Sequence, residues 1–442
     1  MTVLKVPDMF NKIQDAIDKW QQGDVVRVSQ GTFVENIKLR PGVIIEGGFK
    51  SDFSVQNWSQ WPTVIDGNQL DSVVVGADGC QLNGFTIRNG KAANGGGIFL
   101  EKASMITIKN NIIEDNIAEN YGGGVYISGY SGAPLHPYLD IQNNVIRRNK
   151  ALGLKGGCGG GIFVRESREG IRIHKNIIGG QIPDGNKAAW GGGGIWIEDT
   201  GIIDIDNNEI NQNIVEIGHG GGVVIHGSTI NSNLTKNKIH FNQAGGNYGG
   251  GIYVVGGLFV SKNSIMGNQV LNTLSGRGGG IALSCLDRLT PIIENNFIFK
   301  NYADYGGGVH VDRGDRILII NNSIAFNRSN PDLKAGGGVH VESDGRCVLL
   351  NNIIWENKDD FMEIVKGTCI LDHNDIEDGD GLGKNGNISS DPKFVSQYDL
   401  HIKPSSGAID AGNSKDAPKD DIDDQRRSGK PDIGADEFIE EK

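Results

Sequence analysis

Two columns of side chains follow a repeated Gly-Gly-Gly tripeptide, and their residue types could bind and cleave a sugar polymer. The first column is mostly aromatic and comprises Phe99, Tyr126, Phe163, Trp196, Val224, Tyr253, Ala282, His310 and His340. The second is mostly polar or charged and comprises Glu101, Ser128, Arg165, Glu198, His226, Val255, Ser284, Asp312 and Glu342. Both columns alternate with aliphatic residues, so we expect them to face solvent. The rings would then form a platform for sugar rings, or they would only cover the sheet by stacking on one another.

The charged column and its neighbours could cleave an acidic polysaccharide. Elimination at a uronic acid needs a group that neutralises the carboxylate and a base that takes the adjacent proton. Arg165 or a metal ion could be the first group, and the base could be His226, His219 or Tyr253. Hydrolysis would instead need two carboxyl groups across the scissile bond. The carboxyl groups available for that reaction are Glu198 with Asp199 or Glu166.

Two functional interpretations follow from these columns. In the first, the protein is an extracellular lyase or hydrolase of an acidic polysaccharide that binds along the glycine-triplet sheet. In the second, a non-catalytic surface or adhesion module uses the same residues only to bind glycans or other partners. The predicted catalytic residues are Arg165, Glu198, His226 and His219, and the predicted substrate-binding residues are Tyr126, Phe163, Trp190, Trp196 and Tyr253.

Two repeats are longer than the others, and their insertions could form the walls of a cleft. One insertion spans residues 129–138, just after a triplet strand, and the other spans 180–190, just before one. Loops on a rigid scaffold are where binding residues collect, so we expect these two to flank the aromatic column. Residues 145–190 also contain nine Lys or Arg and three acidic residues, an excess of positive charge that suits an acidic polymer.

Two groups of residues could bind a metal ion, although the sequence requires no cofactor. His310 and His340 occupy equivalent positions and could bind a metal with Asp312 and Glu342, but outward-facing sheet residues are the preferred interpretation. Near the C-terminus, oxygen ligands for Ca²⁺ could come from Asp416, Asp420, Asp421, Asp423 and Asp424. A solvated acidic loop is the preferred interpretation there.

The elements that position these residues belong to a repeat. The glycine triplet, followed by Ile or Val, occurs nine times from Gly95 to Gly338, at steps of 27 to 37 residues, which is typical of a solenoid. Each repeat contains the triplet strand, an alternating strand that ends in an Asn turn such as Asn110-Asn111, and a short strand after that turn. Strands with period-two alternation in about 28 residues predict one turn of a parallel β-helix. Asn side chains stacked from turn to turn could form a hydrogen-bonded ladder, and we expect about twelve turns.

The chain resembles the pectin-lyase-like superfamily of right-handed parallel β-helices. The resemblance rests on the Asn-turn repeats, on the helix predicted over residues 8–22, and on the first strands after it, Gly23–Val28 and Gly31–Ile37. The Gly-Gly-Gly-Ile repeats also resemble those of polymorphic outer-membrane proteins. Residues 389–438 are similar to a closing segment of secreted bacterial β-helix proteins. The resemblance implies an all-β solenoid and a secreted protein, but the motifs of pectate lyases and polygalacturonases have no clear match here.

Composition limits the partners and the location. The net charge is −12, which disfavours nucleic acid and anionic membranes as general partners. We expect a polysaccharide partner, a monomer, and an extracellular or cell-surface location with the signal peptide absent from this chain. The alternative is a cytoplasmic protein, because Met1 leads directly into polar sequence without a signal-peptide core. The predicted organisation is a capping helix over 1–23, a β-helix over 24–388 and a capping segment over 389–442. Five cysteines are too few for a disulfide framework, and pairing of Cys347 with Cys369 is left open.

Overall fold

A computed structural model describes residues 2–129, 139–154, 156–167, 170–228, 231–271, 275–285, 289–333, 335–358, 364–365 and 368–440. The chain forms two compact units, Met1–Ile217 and Gly218–Lys442. Both are right-handed parallel β-helices, as the sequence predicts. The described chain makes about ten turns, slightly fewer than the twelve expected. Among the described residues, none of the helices has the length and apolar character needed to cross a bilayer.

Each turn of the first unit contributes strands to up to four parallel sheets. The triplet sheet contains Ile37–Lys38, Val74–Val75, Ile98–Glu101, Val125–Ser128, Ile162–Arg165 and Ile195–Glu198. The second sheet contains Val3–Val6, Val25–Ser29, Ile44–Phe49, Gln81–Asn83, Thr107–Lys109, Leu139–Gln142, Ile171–His174 and Ile203–Asp206. The third sheet contains Gly31–Val34, Thr63–Asp66, Phe85–Arg88, Ile112–Glu114, Val145–Arg147, Ile177–Gly179 and Glu209–Asn211. The fourth sheet contains Lys91–Asn94, Ile117–Tyr121, Lys150–Ala151, Lys187–Ala188 and Ile214–Val215.

The second unit repeats this order. Its triplet sheet contains Val223–Ser228, Ile252–Gly256, Ile281–Ser284, the long strand Val309–Ile320, Val339–Val341 and Ile364–Val365. Its second sheet contains Asn233–Thr235, Phe259–Ser261, Ile292–Glu294, the end of the long strand, Gly345–Leu350 and Thr368–Asp372. Its third sheet contains Lys238–His240, Ser264–Met266, Phe297–Phe299, Ser323–Ala325, Ile353–Trp355 and Asp375–Ile376. The fourth contains Gln243–Ala244 and Gln269–Val270, a 3₁₀ helix spans Pro331–Leu333, and Phe394–Ser396 pairs antiparallel with Asp399–Ile402.

The short fourth strand is the element that the sequence analysis missed. It follows a second column of Asn residues, and in most turns it has only two residues, which are too few to show a period-two pattern. The N-terminal helix is shorter than predicted and spans Ile13–Lys19. It begins at Ile13 because the carboxylate of Glu35 accepts hydrogen bonds from the backbone N–H groups of Ile13 and Gln14, which occupy donors that a helix leaves unpaired.

The glycine triplets allow the chain to approach itself closely. A Cβ atom added at Gly97 would lie 2.5 Å from the carbonyl oxygen of Gly124 in the next turn. The equivalent atom at Gly251 would lie 2.7 Å from the carbonyl oxygen of Gly280. The first glycine of the triplet also has a positive φ, as at Gly95 (61°), a region that glycine occupies without strain. Any side chain here would push neighbouring turns apart.

Two ladders of Asn side chains run from turn to turn in the interior of each unit, and the sequence predicts such stacking. In every step the carboxamide Nδ2 donates to the Oδ1 of the Asn one turn further on, at 3.1 Å between Asn111 and Asn144 and at 2.9 Å between Asn301 and Asn327. The first ladder runs through Asn111, Asn144, Asn176 and Asn208 in the first unit and through Asn237, Asn263, Asn296, Asn322, Asn352, Asn374 and Asn387 in the second. The other runs through Asn116, Asn149, Asn186 and Asn213, and through Asn242, Asn268, Asn301, Asn327 and Asn357.

The C-terminal segment packs beside the third sheet of the second unit. The side chain of Asn351 donates to the carbonyl of Asn413, and that of Asn321 donates to the carbonyl of Asp432. Leu400 and Ala435 are buried against Phe297 and the neighbouring strands. The segment therefore covers the outer face of several turns in addition to following the last one.

Cys347 and Cys369 lie directly opposite each other on neighbouring parallel strands. Their sulfur atoms are 2.8 Å apart. The pairing that the sequence leaves open is therefore accessible without movement of the backbone. The other three cysteines, Cys80, Cys158 and Cys285, are buried.

We expect Asn301→Ala to lower the free energy of unfolding by about 3–5 kcal/mol, because it leaves several buried partners without a hydrogen bond. The lost partners are the carboxamide of Asn268, its backbone N–H, and the carbonyl of Ile265. Chemical denaturation followed by circular dichroism measures the change. Lys238→Ala, at an exposed position of the third sheet, is the matched control, and an equal effect of both variants would contradict a role for the ladder.

Candidate functional site

Two members of the aromatic column of the first unit, Tyr126 and Phe163, are buried, so the expectation that they face solvent was wrong, while Phe99 and Trp196 are half-buried. Tyr126 is 2% exposed and Phe163 is fully buried. The ring of Tyr126 stacks on Phe99 at 5.3 Å and on Phe163 at 5.6 Å, with interplanar angles of 6° and 5°. Rings on strands about 4.8 Å apart cover one another's faces, so little of each ring remains for a sugar.

Residues that precede the triplets complete the cover. Tyr121 packs on Phe163 at 4.6 Å between ring centroids, and Cys158 belongs to the same buried cluster. Burial, with a smaller contribution from the Glu198 carboxylate, raises the pKa of the Cys158 thiol to about 12. Tyr126 and Phe163 therefore form a small apolar core outside the solenoid interior, and we expect a structural role for both of them.

Arg165, Trp196 and Glu198 are brought together at the edge of this cluster. Arg165 and Glu198 are direct neighbours on paired strands, and both are half-buried. The indole N–H of Trp196 donates to Glu198 Oε2 at 2.8 Å. The Arg165 guanidinium lies 5.7 Å from the ring centroid of Tyr121 and 5.8 Å from that of Tyr126, a cation–π geometry. Its Nε is buried and has no hydrogen-bond partner among the described residues.

Of the two insertions predicted to form walls, the one at 180–190 lies within the described residues. The insertion at 180–190 leaves the turn between the third and fourth strands, and its Asp184 is held by Arg148 at 3.1 Å and by Arg147 at 3.5 Å. Trp190, at its end, is 42% exposed. The insertion at 129–138 lies outside the described residues beyond Gly129.

The predicted excess of positive charge at 145–190 is partly neutralised. Arg147 and Arg148 both bind Glu114, at 2.8 and 2.7 Å. Arg172 pairs with Asp206 at 3.2 Å and lies 3.5 Å from Asp204. These ion pairs link successive turns along the sheets, so these arginines are engaged by the fold itself.

The other predicted catalytic residues belong to the second unit. His219 packs against Tyr248 at 5.3 Å and Tyr253 at 5.5 Å, and burial lowers its pKa. Burial, then Tyr248 and Asp312, raise the pKa of Tyr253 to about 12, so this phenol stays protonated at neutral pH and is a poor base. His226 is exposed in the strand Val223–Ser228.

His310 and His340 are buried, in contrast to the preferred interpretation of them as outward, solvated residues. His310 is 0% exposed and His340 is 6% exposed. Burial lowers the pKa of His340 to about 4 and that of His310 well below its usual value. Both imidazoles are therefore neutral at pH 7.

Most of the acidic residues proposed for Ca²⁺ have protein partners. Asp424 pairs with Lys236 at 2.6 Å and with Lys262 at 2.8 Å. Asp423 pairs with His401 at 2.7 Å. The carboxylate of Asp421 accepts backbone hydrogen bonds from Asp423, Gln425 and Glu437. These contacts hold the segment to the second unit, and they leave fewer oxygens free to bind a cation.

A groove that we call the corner groove lies where the third strand turns into the fourth. In the second unit it has a volume of about 660 Å³. One wall is a column that contains one residue from each of four successive solenoid turns. Parallel bridges join these residues, which are Gln269, Tyr302, Arg328 and Lys358. The other wall is formed by three residues that each stand two positions before a column residue, Lys300, Phe326 and Glu356, and by Gln397 of the C-terminal segment.

The positive charges of this groove are only partly engaged by the protein. Lys300 Nζ donates to Gln397 Oε1 at 3.0 Å and lies 3.3 Å from the ring centroid of Tyr398. Arg328 and Lys358 are exposed, and within the described ranges no carboxylate lies within 4.0 Å of either. Tyr302 and Phe326 are half-buried. The groove therefore combines three cations, one carboxylate, amides and aromatic surface.

The first unit has a smaller groove of the same construction, with a volume of about 240 Å³. Its column is Ile117, Lys150 and Lys187, in register on paired strands. Both lysines are exposed, and neither has an ion-pair partner in the described part of the chain. The opposite wall contains Asp115, Arg148 and Pro183.

Sequence reasoning missed the corner groove, although a signal was present. Each outward residue of the column directly follows an Asn of the second ladder, as in Asn149-Lys150, Asn186-Lys187, Asn327-Arg328 and Asn357-Lys358. The Asn side chain faces the interior, so the next side chain faces out. The residue that follows the Asn of the second ladder therefore marks the groove wall in each repeat.

Among comparisons with known proteins, a family model supports the fold. A family model described as a right-handed β-helix region matches residues 25–208 and 73–270. A cell surface glycoprotein of Methanothermus fervidus is 25% identical over 336 residues, which cover 71% of this chain and 50% of that protein. The chain thus spans about half the length of this curated relative. The crystal structure of the pectate lyase Pel9A is similar with a TM-score of 0.38 and 12% identity, over 97% of this chain and 91% of that one.

We expect Phe163→Ala to destabilise the first unit by about 3–5 kcal/mol, because it removes a fully buried ring from a packed cluster. A ring on an open sugar-binding platform would cost far less. Thermal or chemical unfolding measures the difference. Trp190→Ala, at an exposed aromatic position, is the control, and a smaller loss for Phe163→Ala than for Trp190→Ala would contradict the buried cluster.

Proposed function

The chain belongs to the family of right-handed β-helix regions, and from that premise we propose that it is an extracellular or cell-surface protein that binds an acidic polysaccharide in its corner grooves. The fold alone does not determine this function, because one fold supports many activities. The observation that carries the proposal is the adjacent placement of Arg328 and Lys358, without a described acidic partner, in the larger groove.

The spacing of the cations supports a polymeric ligand. Lys150 and Lys187 are neighbours on paired strands, and so are Arg328 and Lys358 through their bridge. Successive turns of a parallel sheet are about 4.8 Å apart. A chain that carries a carboxylate on successive sugars can therefore place its charges opposite successive turns, where each pair is a charge-assisted contact.

The other walls of the groove supply the contacts that a sugar ring needs. Tyr302 and Phe326 offer half-buried aromatic surface. Gln269 offers a carboxamide that can donate and accept hydrogen bonds with hydroxyl groups. Pockets that join apolar surface with a few placed polar groups are typical of ligand sites. These features favour a saccharide over a simple anion.

The proposal is tested by binding of polygalacturonate, alginate and a neutral glucan to the full chain by calorimetry. We expect the two acidic polymers to bind and the glucan to bind weakly or not at all. Replacing Arg328 and Lys358 together with Gln should weaken binding by tenfold or more, about 1.4 kcal/mol, and added salt should weaken it in the wild type.

The matched control replaces Arg316 and Arg346 with Gln. Arg346 is 67% exposed in its side chain and pairs with Asp315 away from the groove, so this variant removes the same charge elsewhere in the second unit. Equal losses in both double variants would show that only the overall charge matters, which would contradict a site in the groove. Equal binding of the neutral glucan would contradict recognition of acidic sugars.

A second candidate function is cleavage of an acidic polysaccharide near Arg165. The observation that favours it is the half-buried Arg165, whose Nε has no described partner, beside Glu198 on the next strand. Arg165 could neutralise a uronate carboxylate, and Glu198 could accept the adjacent proton. His219 and His226 belong to the other unit, and their roles as a base stay predictions.

If this candidate holds, incubation with polygalacturonate or alginate produces unsaturated ends that absorb in the ultraviolet. Arg165→Gln and Glu198→Gln should then each lower the rate by about 100-fold or more, whereas the Arg328 and Lys358 variant keeps turnover at saturating polymer. Hydrolysis would release reducing sugar without that absorbance. Binding without either product supports the corner groove alone.

A further inference from the structure

His310, His340 and Glu342 form a compact cluster on the triplet sheet of the second unit. His310 and His340 are direct neighbours on paired strands. Their rings are parallel, with 5.1 Å between centroids and 6° between planes. Glu342 follows the second of these strands, and its backbone N–H donates to the carbonyl of Val311. The sheet register therefore fixes the backbone positions of all three residues.

The imidazole nitrogens of this cluster are buried but not satisfied. His310 is fully buried, and neither of its ring nitrogens has a hydrogen-bond partner within the described ranges. The Nδ1 of His340 is in the same condition. Buried polar atoms without partners are uncommon in native structures and call for an explanation. An imidazole with a lone pair and no hydrogen-bond partner is also the form that binds metals.

The carboxylate of Glu342 lies close to both rings. Its Oε1 is 3.9 Å from His310 Nε2 and 3.8 Å from His340 Nε2, and the three ligand atoms all lie within 4.8 Å of one another. We propose that His310, His340 and Glu342 bind a divalent transition-metal ion of the zinc class. Two imidazoles and one carboxylate are a ligand set that such ions accept, with a fourth position open to water.

The carboxylate of Glu342 requires only a small movement to reach a shared ion. Zinc–nitrogen bonds are about 2.0–2.1 Å and zinc–oxygen bonds about 2.0–2.2 Å, so tetrahedral ligand atoms lie roughly 3.3 Å apart. The carboxylate oxygen must therefore approach each imidazole by about half an ångström. Glu342 is 34% exposed in its side chain, so it has the freedom to do so. The two imidazole rings, which are parallel at 5.1 Å, must rotate and approach each other to share an ion.

One positive group competes with a metal at this position. Arg277 Nε lies 3.7 Å from Glu342 Oε1, while its Nη1 donates to the hydroxyl of Tyr248 at 2.8 Å. The ring of Tyr305 packs edge-on against His340 at 5.3 Å. Binding of a cation would displace Arg277 from Glu342 and leave its contact with Tyr248. Removal of this guanidinium should therefore strengthen metal binding.

A second cluster, His401 with Asp423 and Asp436, has ligand atoms equally close together but is already satisfied. His401 Nδ1 is bonded to Asp399, and its Nε2 lies 2.7 Å from Asp423. Asp436 accepts the backbone N–H of Ile402. These partners explain that cluster without an ion, and it serves as the comparison in the test.

The experiment titrates the full chain, after treatment with a chelator, with Zn²⁺ by calorimetry and with Co²⁺ by visible absorption. We expect one Zn²⁺ per chain, a Co²⁺ spectrum typical of low coordination number, and a higher Tm with Zn²⁺. His340→Gln and Glu342→Gln should each weaken Zn²⁺ binding at least tenfold, and Arg277→Gln should strengthen it. His401→Gln, the matched control, should leave Zn²⁺ affinity unchanged.

Three results would overturn the proposal. One is the lack of Zn²⁺ binding by the wild type at concentrations up to about 1 mM. Another is loss of binding in His401→Gln with retention in His340→Gln and Glu342→Gln. The third is unchanged affinity in Glu342→Gln when circular dichroism shows a native fold. Because Glu342 is partly exposed, its variant tests the site even if replacement of buried His310 prevents folding.

Discussion

A buried carboxamide at each turn is the interaction on which the rest of the structure depends. Asn301 is fully buried, and its side chain accepts two hydrogen bonds from Asn268 and donates to Ile265 and Asn327. A tight turn brings backbone N–H and carbonyl groups into the apolar interior, where an unpaired polar group is costly. The Asn side chain satisfies these groups and fixes the distance to the next turn, so the ladder determines both stability and register.

The ladder also decides which residues are available for function. Because strand side chains alternate, the residue after a ladder Asn faces outward. Changes there, from Ile117 to Lys150 or from Gln269 to Arg328, leave the interior unchanged. The corner grooves can therefore vary in charge from turn to turn at little cost to the fold. The Asn that stabilises the fold and the residue that lines the groove are therefore adjacent in the sequence.

On the triplet sheet, by contrast, several side chains that point out of the solenoid are buried. Its glycines bring neighbouring turns close together, and the residues on its outer face contact one another and the segments before the triplets. Tyr126 and Phe163 become a second apolar core, and His310 and His340 lose contact with water. Half-buried polar groups remain at the edges of these clusters, Arg165 and Glu198 in one unit and Glu342 in the other. These three groups are therefore only partly accessible to a ligand.

The sequence by itself determined the parallel β-helix, the Asn ladders and the column that each residue occupies. These features depend on local alternation of side chains and on a residue pattern that recurs in every turn. It also identified Arg165, Trp196 and Glu198 as neighbours, since register places equivalent positions side by side. Only the tertiary structure decided that the ring of Phe163 is covered and that the insertion with Asp184 lies at the third-strand turn. Exposure depends on what packs over a side chain from outside its own repeat, such as Tyr121 and Cys158, and no periodic pattern in the sequence records that contact.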